Sequence, residues 1–149
     1  MESFSSTKEF IRPLLIGIAG GSCSGKTTLA IELVEAIGKA RCTYVDQDSY
    51  YKDLSHMLSC DRNQRNFDEP DSIDYELLKD QLTQLLHGGS IKKPKYDFRT
   101  HTRVDYANVK SSQIIIIEGI LIFCDSEIRN LCDLKIGLDI ENDLRRQRR

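Results

Sequence analysis

One segment of the sequence combines residue types and spacing that can bind phosphate. Residues 20–27 read GGSCSGKT and fit the pattern GxxxxGK[ST]. Glycines let such a loop turn tightly and aim backbone N–H groups at phosphates, and the following helix presents its positive end. In this pattern Lys26 reaches the β- and γ-phosphates, and the Thr27 hydroxyl holds Mg²⁺. We therefore predict a nucleoside triphosphate site formed by Gly20, Gly21, Ser22, Cys23, Ser24, Gly25, Lys26, Thr27 and Thr28.

Two carboxylates that follow predicted strands are candidates for the chemistry. Asp48 comes just after a short strand that begins at Cys42, and Glu118 directly follows four consecutive isoleucines at 114–117. Ligands of open α/β sheets bind beyond the carboxyl ends of the strands, so both side chains should face the crevice beside the loop. Glu118 stands between apolar segments, which indicates a functional carboxylate rather than a solvated one. For Asp48, spacing alone is equally compatible with a solvated loop acid.

The elements that must position these residues alternate between strand and helix. We predict strands over 14–19, 42–45, 114–117 and 134–138, with helices after the first strand, over 73–86 and near 125–132. Asp71 or Ser72 is the expected cap of the helix over 73–86. Residues 91–109, which include Pro94, suit a hairpin better than a central strand. The pattern predicts an α/β three-layer sandwich of the P-loop NTPase type, with a mainly parallel central sheet and a β-hairpin excursion that covers the substrate.

Length and composition fit one domain, with residues 1–13 as a flexible lead-in and 14–149 as the folded unit. The net charge of -2 gives no reason to expect nucleic acid or a membrane as partner. The five cysteines are odd in number and form no CxxC pair, and residues 1–13 lack the apolar segment of a secretory signal. A cytoplasmic location is therefore expected.

Several signatures of other P-loop proteins are absent from the sequence. There is no [NT]KxD box for guanine and no LSGGQ-type segment, and the isoleucine strand ends in Glu118-Gly119 rather than in an Asp-Glu pair. These absences favour a small-molecule kinase. Such a reaction needs in-line positioning, Mg²⁺, positive charge and a carboxylate that accepts the proton of the acceptor hydroxyl, a role that suits Asp48.

Five further blocks resemble the uridine kinase (uridine-cytidine kinase) family in order and nearly in spacing. They are VDQDSYYKDLS at 45–55, NFDEPDSID at 66–74, PKYDFRTHTR at 94–103, IIIIEGILIF at 114–123 and DIENDLRRQRR at 139–149. The resemblance runs from about Leu14 to Arg149. It implies transfer of phosphate from ATP or GTP, with Mg²⁺, to the 5′-hydroxyl of uridine or cytidine, and a homo-oligomer, commonly a tetramer.

The resemblance also implies roles for individual residues. Asp48 corresponds to the base that deprotonates the ribose hydroxyl and also faces the metal, together with Thr27 and Glu118. The implied substrate-binding residues are Tyr51 and Phe67 as walls of the base pocket, Asp68 for the ribose hydroxyls, Tyr96 and His101 for the pyrimidine edge, and Arg149 from a lid helix. Tyr44 and Tyr106 are expected to be packing residues.

The chain stops earlier than this family pattern does, within an arginine-rich helix start. We therefore expect it to lack part of the lid, to bind nucleotide weakly and to phosphorylate uridine poorly, since lid arginines stabilise transition-state charge. Two other functions stay open. One is a kinase for another ribosyl or small hydroxylated acceptor, such as nicotinamide riboside, pantothenate or ribulose phosphate, and the other is a catalytically silent nucleotide-binding protein.

Overall fold

The computed structural model describes residues 9–139. Its elements follow the alternation that the sequence predicts. The strands are β1 (Leu14–Gly20), β2 (Cys42–Asp46), β3 (Ser90–Asp97), β4 (Thr102–Lys110), β5 (Ile114–Gly119) and β6 (Leu134–Leu138), and the helices are α1 (Lys26–Ile37), α2 (Ser59–Arg62), α3 (Tyr75–Leu86) and α4 (Ser126–Leu131). Short 3₁₀ turns lie at Lys39–Arg41, Gln47–Tyr50 and Pro70–Ser72.

The central sheet is parallel, with the strand order β2-β5-β1-β6. The isoleucine strand β5 lies between β2 and β1, which explains its composition. Ile115 and Ile117 face one side of the sheet and Ile116 faces the other, and all three are fully buried. A strand covered on both faces has no place for the polar alternation of a half-exposed strand. The prediction of a mainly parallel central sheet that includes this strand is confirmed.

The two faces of the sheet are covered by different elements, giving three layers. Ile16, Ile18 and Ile116 pack with Ala30 of α1 on one face. On the opposite face the buried core includes Leu15 and Ile117, and the apolar residues of α3, the start of β3 and Ile128 of α4. The carboxyl ends of β1, β2 and β5 therefore lie together at one edge of this sandwich.

Strands β3 and β4 form a separate antiparallel hairpin, with a bulge between Lys95 and Tyr96. The hairpin is joined to the rest of the molecule through side chains. Buried Gln81 of α3 accepts a hydrogen bond from the Tyr50 hydroxyl at 2.6 Å and donates to the Lys92 carbonyl at 2.8 Å. Lys93 pairs with Asp46 at the end of β2. The predicted hairpin excursion is thus present, and it is docked beside the carboxyl ends of the strands.

The predicted cap of the second long helix is wrong. Pro70–Ser72 forms its own 3₁₀ turn, and α3 begins at Tyr75 with Asp74 as N-cap, whose carboxylate accepts from the Leu77 amide at 3.1 Å. The arginine-rich helix start expected near the end of the chain lies outside the described residues. Within residues 9–139, no helix has both the length and the apolar character needed to span a bilayer.

Candidate functional site

The phosphate-binding loop connects the end of β1 to the start of α1, as the sequence predicts. Gly25 is the N-cap of α1 and has a φ of 90°, a left-handed conformation that glycine adopts at no steric cost. The Leu29 amide already bonds to the Gly25 carbonyl at 2.9 Å, so the positive end of the helix begins directly at the loop. A cavity of about 280 Å³ opens there, lined by Cys23, Gly25, Lys26, Thr27 and Thr28.

The loop contains a buried polar atom that a phosphate could satisfy. Among the described residues, the Ser24 hydroxyl is buried without a hydrogen-bond partner, which is uncommon in a folded protein. The Lys26 ammonium lies 3.5 Å from the Gly21 carbonyl, at the limit of a hydrogen bond. Both groups can donate to phosphate oxygens, so the loop suits the anionic ligand that its sequence predicts.

Glu118 is buried at the end of β5, with 4% of its surface exposed. Its Oε1 atom accepts hydrogen bonds from the Thr27 hydroxyl at 3.0 Å and from the Tyr44 hydroxyl at 2.8 Å. Burial, followed by the contact with Glu118, raises the pKa of Tyr44, so this phenol stays protonated and remains a donor. The loop threonine and the strand carboxylate are therefore brought together as predicted, with Tyr44 as a further partner.

Asp48 lies in the 3₁₀ turn that follows β2, and its side chain reaches solvent. Partial desolvation by its surroundings raises its pKa, the charges of Glu118 and Asp46 add to this effect, and the charge of Lys26 opposes it. Asp48 therefore shares one electrostatic environment with Glu118 and Lys26. This is the crevice beside the loop that the position of these residues in the sequence predicts.

Asp46, the last residue of β2, is a third carboxylate beside this crevice. It bonds to the Ser49 hydroxyl and to the Lys93 ammonium of the hairpin. Burial alone would raise the pKa of Asp46, but these hydrogen bonds together with the positive charge of Lys93 outweigh it and lower the pKa below its ordinary value. Its negative charge is thus balanced by Lys93.

The donor atoms at this edge suit Mg²⁺. Mg²⁺ prefers oxygen ligands, and in phosphoryl-transfer sites it is held by one or two carboxylates or hydroxyls together with the phosphates of the substrate. The Thr27 hydroxyl and the Glu118 carboxylate are oxygen donors placed next to the loop. Residues 9–139 contain no cluster of three or more His, Cys, Asp or Glu side chains that could hold a metal alone. This donor set fits a metal that arrives with a nucleotide.

An aromatic cluster lies between the 3₁₀ turn after β2 and the hairpin. Its members are Tyr51, Phe67, Tyr96, Phe98 and His101. The Phe67 and His101 rings stack with centroids 4.3 Å apart, and the Tyr51 ring lies 5.6 to 5.8 Å from the Phe67, Tyr96 and Phe98 rings. Four of these five residues were predicted for the acceptor site, and the structure brings all four together.

The aromatic cluster also holds unpaired polar atoms and lies near two carboxylates. The Tyr96 hydroxyl and the Nδ1 atom of His101 are buried without a hydrogen-bond partner among the described residues. Burial, followed by the charges of Asp48 and Asp68, raises the pKa of Tyr51 to about 12. Asp68 itself is exposed and lies close enough to act on Tyr51. The crevice at Asp48 and the aromatic cluster are therefore adjacent.

Several residues of this region were missed by sequence reasoning. Tyr44, predicted as a packing residue, packs against the α1 face with its ring but also donates to Glu118 through its hydroxyl. The prediction that Tyr106 is a packing residue is wrong, since its side chain is exposed on β4. Phe98 was overlooked although it lies in the same block as Tyr96. The pairing of Asp46 with Lys93 has no signal in the sequence, because it joins elements 47 residues apart. The predicted site residue Arg149 lies outside the described residues.

The chain matches the sequence model of the phosphoribulokinase / uridine kinase family over residues 15–149. It is 48% identical over 140 residues to the uridine kinase of Clostridium novyi, and this alignment covers 93% of the chain and 67% of that relative. The uridine kinase of Brevibacillus brevis is 46% identical over 138 residues, which cover 92% of the chain and 64% of the relative. The chain thus spans about two thirds of the length of these proteins.

Solved structures show the same architecture. A possible uridine kinase from Bacillus stearothermophilus superposes with a TM-score of 0.67 at 25% identity, covering 96% of this chain and 79% of that one. Phosphoribulokinase from Rhodobacter spheroides superposes with a TM-score of 0.63 at 17% identity, covering 85% of this chain and 50% of that one, which is a likeness of fold alone. The predicted P-loop kinase fold is confirmed.

Proposed function

Because the chain belongs to the phosphoribulokinase / uridine kinase family, we propose that it transfers the γ-phosphoryl group of ATP to the 5′-hydroxyl of uridine or cytidine. The single observation that carries this proposal is that the aromatic cluster lies beside the crevice of Asp48 and Glu118. Within the cluster, the Tyr96 hydroxyl and His101 Nδ1 are buried and unpaired. A flat ligand with a hydrogen-bonding edge suits the cluster, and the crevice suits phosphoryl transfer.

The donor nucleotide occupies the loop. Backbone N–H groups at the start of α1, the Lys26 ammonium and the Ser24 hydroxyl donate to its phosphates. Thr27 and Glu118 would hold a Mg²⁺ ion, which would supply positive charge beside the phosphates of the nucleotide. The reaction therefore takes place at the carboxyl ends of β1 and β5.

Asp48 takes the proton of the acceptor hydroxyl. Its pKa is raised by desolvation and by the neighbouring carboxylates, which makes its ionised form a stronger base than an ordinary aspartate. Its exposure leaves the side chain reachable by a hydroxyl that enters from the aromatic cluster. The oxygen of the deprotonated hydroxyl attacks the γ-phosphorus, and the bond from this phosphorus to the β-bridging oxygen breaks.

The acceptor nucleoside lies against the aromatic cluster. Stacking on Tyr51 and Phe67 holds the base, and the Tyr96 hydroxyl and His101 Nδ1 bond to its edge. Asp68 accepts hydrogen bonds from the two vicinal hydroxyls of ribose, so a deoxyribonucleoside loses one of them. Phe67 and His101 stack on each other, so a base that binds against Phe67 on this side must displace the His101 ring.

A panel of acceptors tests this function. The chain is supplied with Mg·ATP and with uridine, cytidine, nicotinamide riboside, pantothenate or ribulose phosphate, and ADP release is followed. We expect transfer to uridine or cytidine that Asp48→Asn abolishes, with nucleotide binding retained. Asp61→Asn is the matched control, since Asp61 is an exposed residue of α2. Transfer to another acceptor only, or nucleotide binding without transfer, would refute the proposal.

A further inference from the structure

Arg103 is the last residue of the block PKYDFRTHTR, and the functional roles described above leave it unassigned. It lies at the start of β4, directly opposite Tyr96 of β3. Its side chain is only 15% exposed, which is unusual for arginine unless the guanidinium is paired. Arg103 therefore lies beside the aromatic cluster, and its burial indicates that its guanidinium has partners there.

The guanidinium of Arg103 joins the hairpin to two other segments. Its Nη2 atom donates to the Tyr51 carbonyl at 3.2 Å and to the Asp74 carboxylate at 2.9 Å. Its backbone amide donates to the Asp53 carboxylate at 3.2 Å. Asp74 in turn caps α3 through its other carboxylate oxygen. The Arg103 side chain therefore connects the hairpin to the segment after β2 and to the start of α3.

The segments that Arg103 joins carry opposite sides of the aromatic cluster. Tyr51 belongs to the segment after β2, whereas Tyr96 and His101 belong to the hairpin, and the Tyr51 and Tyr96 rings lie 5.6 Å apart. Burial raises the pKa of Tyr96 to about 12, and the positive charge of Arg103 acts against this shift, so the guanidinium lies near the phenol. The contacts of Arg103 therefore lie next to two aromatic walls of the predicted base pocket, Tyr51 and Tyr96.

The hairpin depends on such contacts for its position. A two-stranded hairpin is marginally stable by itself, and β3 and β4 do not pair with the central sheet. Close to the turn, Arg62 donates to the carbonyls of Ser55, Met57 and Thr100, which fixes the turn to the loop before α2. Arg103 is the corresponding contact at the level of Tyr96, where the base would bind.

We infer that Arg103 is a positioning residue that sets the width of the acceptor pocket by holding the Tyr96 strand against Tyr51 and Asp74. The identity of the acceptor rests on the proposed function, whereas the contact itself does not. The guanidinium acts through the two walls of the pocket and does not touch the reacting atoms. Loss of this contact should weaken binding of the nucleoside and leave binding of the nucleotide unchanged, because Arg103 does not contact the phosphate-binding loop.

The kinetic test compares Arg103→Ala and Arg103→Lys with Arg99→Ala. Arg99 lies on the same hairpin and is 91% exposed, so it is a matched control. We expect Arg103→Ala to raise the KM for uridine about tenfold or more while the KM for ATP stays within about twofold, Arg103→Lys to restore part of the loss, and Arg99→Ala to behave as wild type. An equal rise in both KM values, or no change in either, would overturn the inference.

A second measurement does not depend on activity. Because the His101 ring stacks on Phe67, its proton resonances should show a ring-current shift in NMR spectra, and Arg103→Ala should reduce this shift. Asp74→Asn keeps the cap of α3 but removes the charged partner of Arg103, so it should have the same effect if Arg103→Ala does not fold. An unchanged shift in both variants overturns the inference. If wild type phosphorylates no nucleoside, the proposed function fails, and this measurement still decides whether Arg103 positions the hairpin.

Discussion

At the scale of single residues, Glu118 shows how a buried carboxylate is kept in place before any metal binds. A buried charge is costly unless hydrogen bonds compensate for it. The Thr27 and Tyr44 hydroxyls both donate to the same oxygen of Glu118, so the carboxylate is held from the loop and from the neighbouring strand. The other oxygen is then available to a cation that arrives with a nucleotide.

Tyr44→Phe tests how much of this support comes from the phenol. The substitution keeps the ring but removes a donor to a buried charged group, so we expect the free energy of unfolding to fall by about 1–3 kcal/mol. Urea denaturation monitored by circular dichroism measures the change. Tyr106→Phe is the control, since Tyr106 is an exposed residue of β4. Equal effects of the two substitutions would show that the contact with Glu118 does not matter.

Gly119 directly follows Glu118, and its lack of a side chain has a steric cause. A Cβ atom at this position would overlap Oε1 and Cβ of Gln47, whose Oε1 accepts from the Leu121 amide at 2.9 Å. Gln47 is fully buried and immediately precedes Asp48. The Glu-Gly pair that ends the isoleucine strand therefore leaves room for the turn that carries the proposed base.

Gly119→Ala should accordingly reduce both stability and activity. Overlap in a packed interior costs about 1–3 kcal/mol or more, and relief of the overlap would displace the Gln47–Tyr50 turn. Thermal unfolding and phosphate transfer to uridine are the measurements. At Gly137, in edge strand β6, a Cβ atom would meet nothing within 4 Å, so Gly137→Ala is the control. Wild-type turnover in Gly119→Ala would contradict this account.

The position of a single residue could be predicted from the sequence where its side chain makes only one kind of contact. The position of Glu118 between apolar segments argues against a solvated side chain, and the structure places it buried at the end of β5, while its role in the reaction stays a prediction. Tyr44 has two uses, because its ring packs in the core while its hydroxyl serves the site, and the sequence pattern shows only the first. Contacts between distant segments, such as that of Asp46 with Lys93, required the structure.

At the scale of elements, the start of β1 is held to the segment before β6 by Asp133. Its amide donates to the Leu15 carbonyl at 2.9 Å, and its carboxylate accepts from the Leu15 amide at 2.8 Å and from Arg12 at 2.7 Å. Asp133 thus continues the pairing of β1 and β6 beyond the first ladder pair, which joins Ile16 to Leu134. The Asp133 carboxylate takes the place of a backbone acceptor for the Leu15 amide, one residue before the β1–β6 ladder begins.

Asp133→Ala should destabilise the protein because it leaves the amide of fully buried Leu15 without its acceptor. An unpaired buried amide costs about 1–3 kcal/mol. Asp133→Asn keeps an oxygen acceptor and loses only the charge, so its effect should be smaller. Urea denaturation at neutral pH measures both variants against wild type. If Asp133→Asn lowers the free energy of unfolding as much as Asp133→Ala does, the hydrogen bond from the Leu15 amide does not account for the stabilisation.

The same pair of variants gives a pH dependence. Burial alone would raise the pKa of Asp133, but the Leu15 amide and Arg12 outweigh it and hold the pKa below its ordinary value of 3.8. A carboxyl group whose pKa is lower in the folded state stabilises the fold above the unfolded-state pKa, and this stabilisation is lost as the pH falls through the folded-state pKa. The difference between wild type and Asp133→Asn should therefore be constant near neutral pH and shrink below about pH 3.8. A difference that grows on acidification would be the opposite result.

The type of each element, helix or strand, was predictable because its pattern of apolar residues is strong. The first residue of α3 was not predictable in this way. The isoleucines of β5 allow only a buried strand, and the leucines of α3 allow only an amphipathic helix. Asp71, Ser72 and Asp74 are all good capping residues, and the choice among them depends on tertiary contacts. The Asp74 amide donates to the Tyr50 carbonyl at 2.8 Å and its carboxylate meets Arg103, which places the cap there.

At the scale of the whole molecule, the two halves of the proposed site belong to different layers. The phosphate-binding loop is built from the central sheet and α1, whereas the aromatic cluster is built from the hairpin and the segments before α3. The turn Gln47–Tyr50, with Asp48, lies between them. The sequence motifs located both halves, but the distance between them depends on hairpin docking, to which Gln81, Lys93 and Arg103 contribute through contacts that leave no periodic signal.

This separation predicts that ligands of the two halves stabilise the fold independently. A ligand at about 100 times its dissociation constant adds about 2.7 kcal/mol to the free energy of unfolding. Mg²⁺ with a non-hydrolysable ATP analogue should raise the melting temperature of wild type. Lys26→Ala should lose this rise because it removes the ammonium proposed to bind the phosphates, whereas Lys39→Ala, at an exposed lysine that follows α1, should keep it.

Uridine should give a separate rise in melting temperature that Lys26→Ala retains and Tyr96→Phe reduces, since the unpaired Tyr96 hydroxyl lies in the other half of the proposed site. Differential scanning calorimetry of the same variants with each ligand alone and with both measures these increments. With both ligands present, the two increments should add to within about 0.5 kcal/mol if the halves act independently. Loss of the uridine increment in Lys26→Ala would instead show that Lys26 also supports the acceptor pocket. If uridine gives no increment in wild type unless the nucleotide is present, the acceptor pocket forms only after the nucleotide has bound, and the docked hairpin is not the binding-competent state.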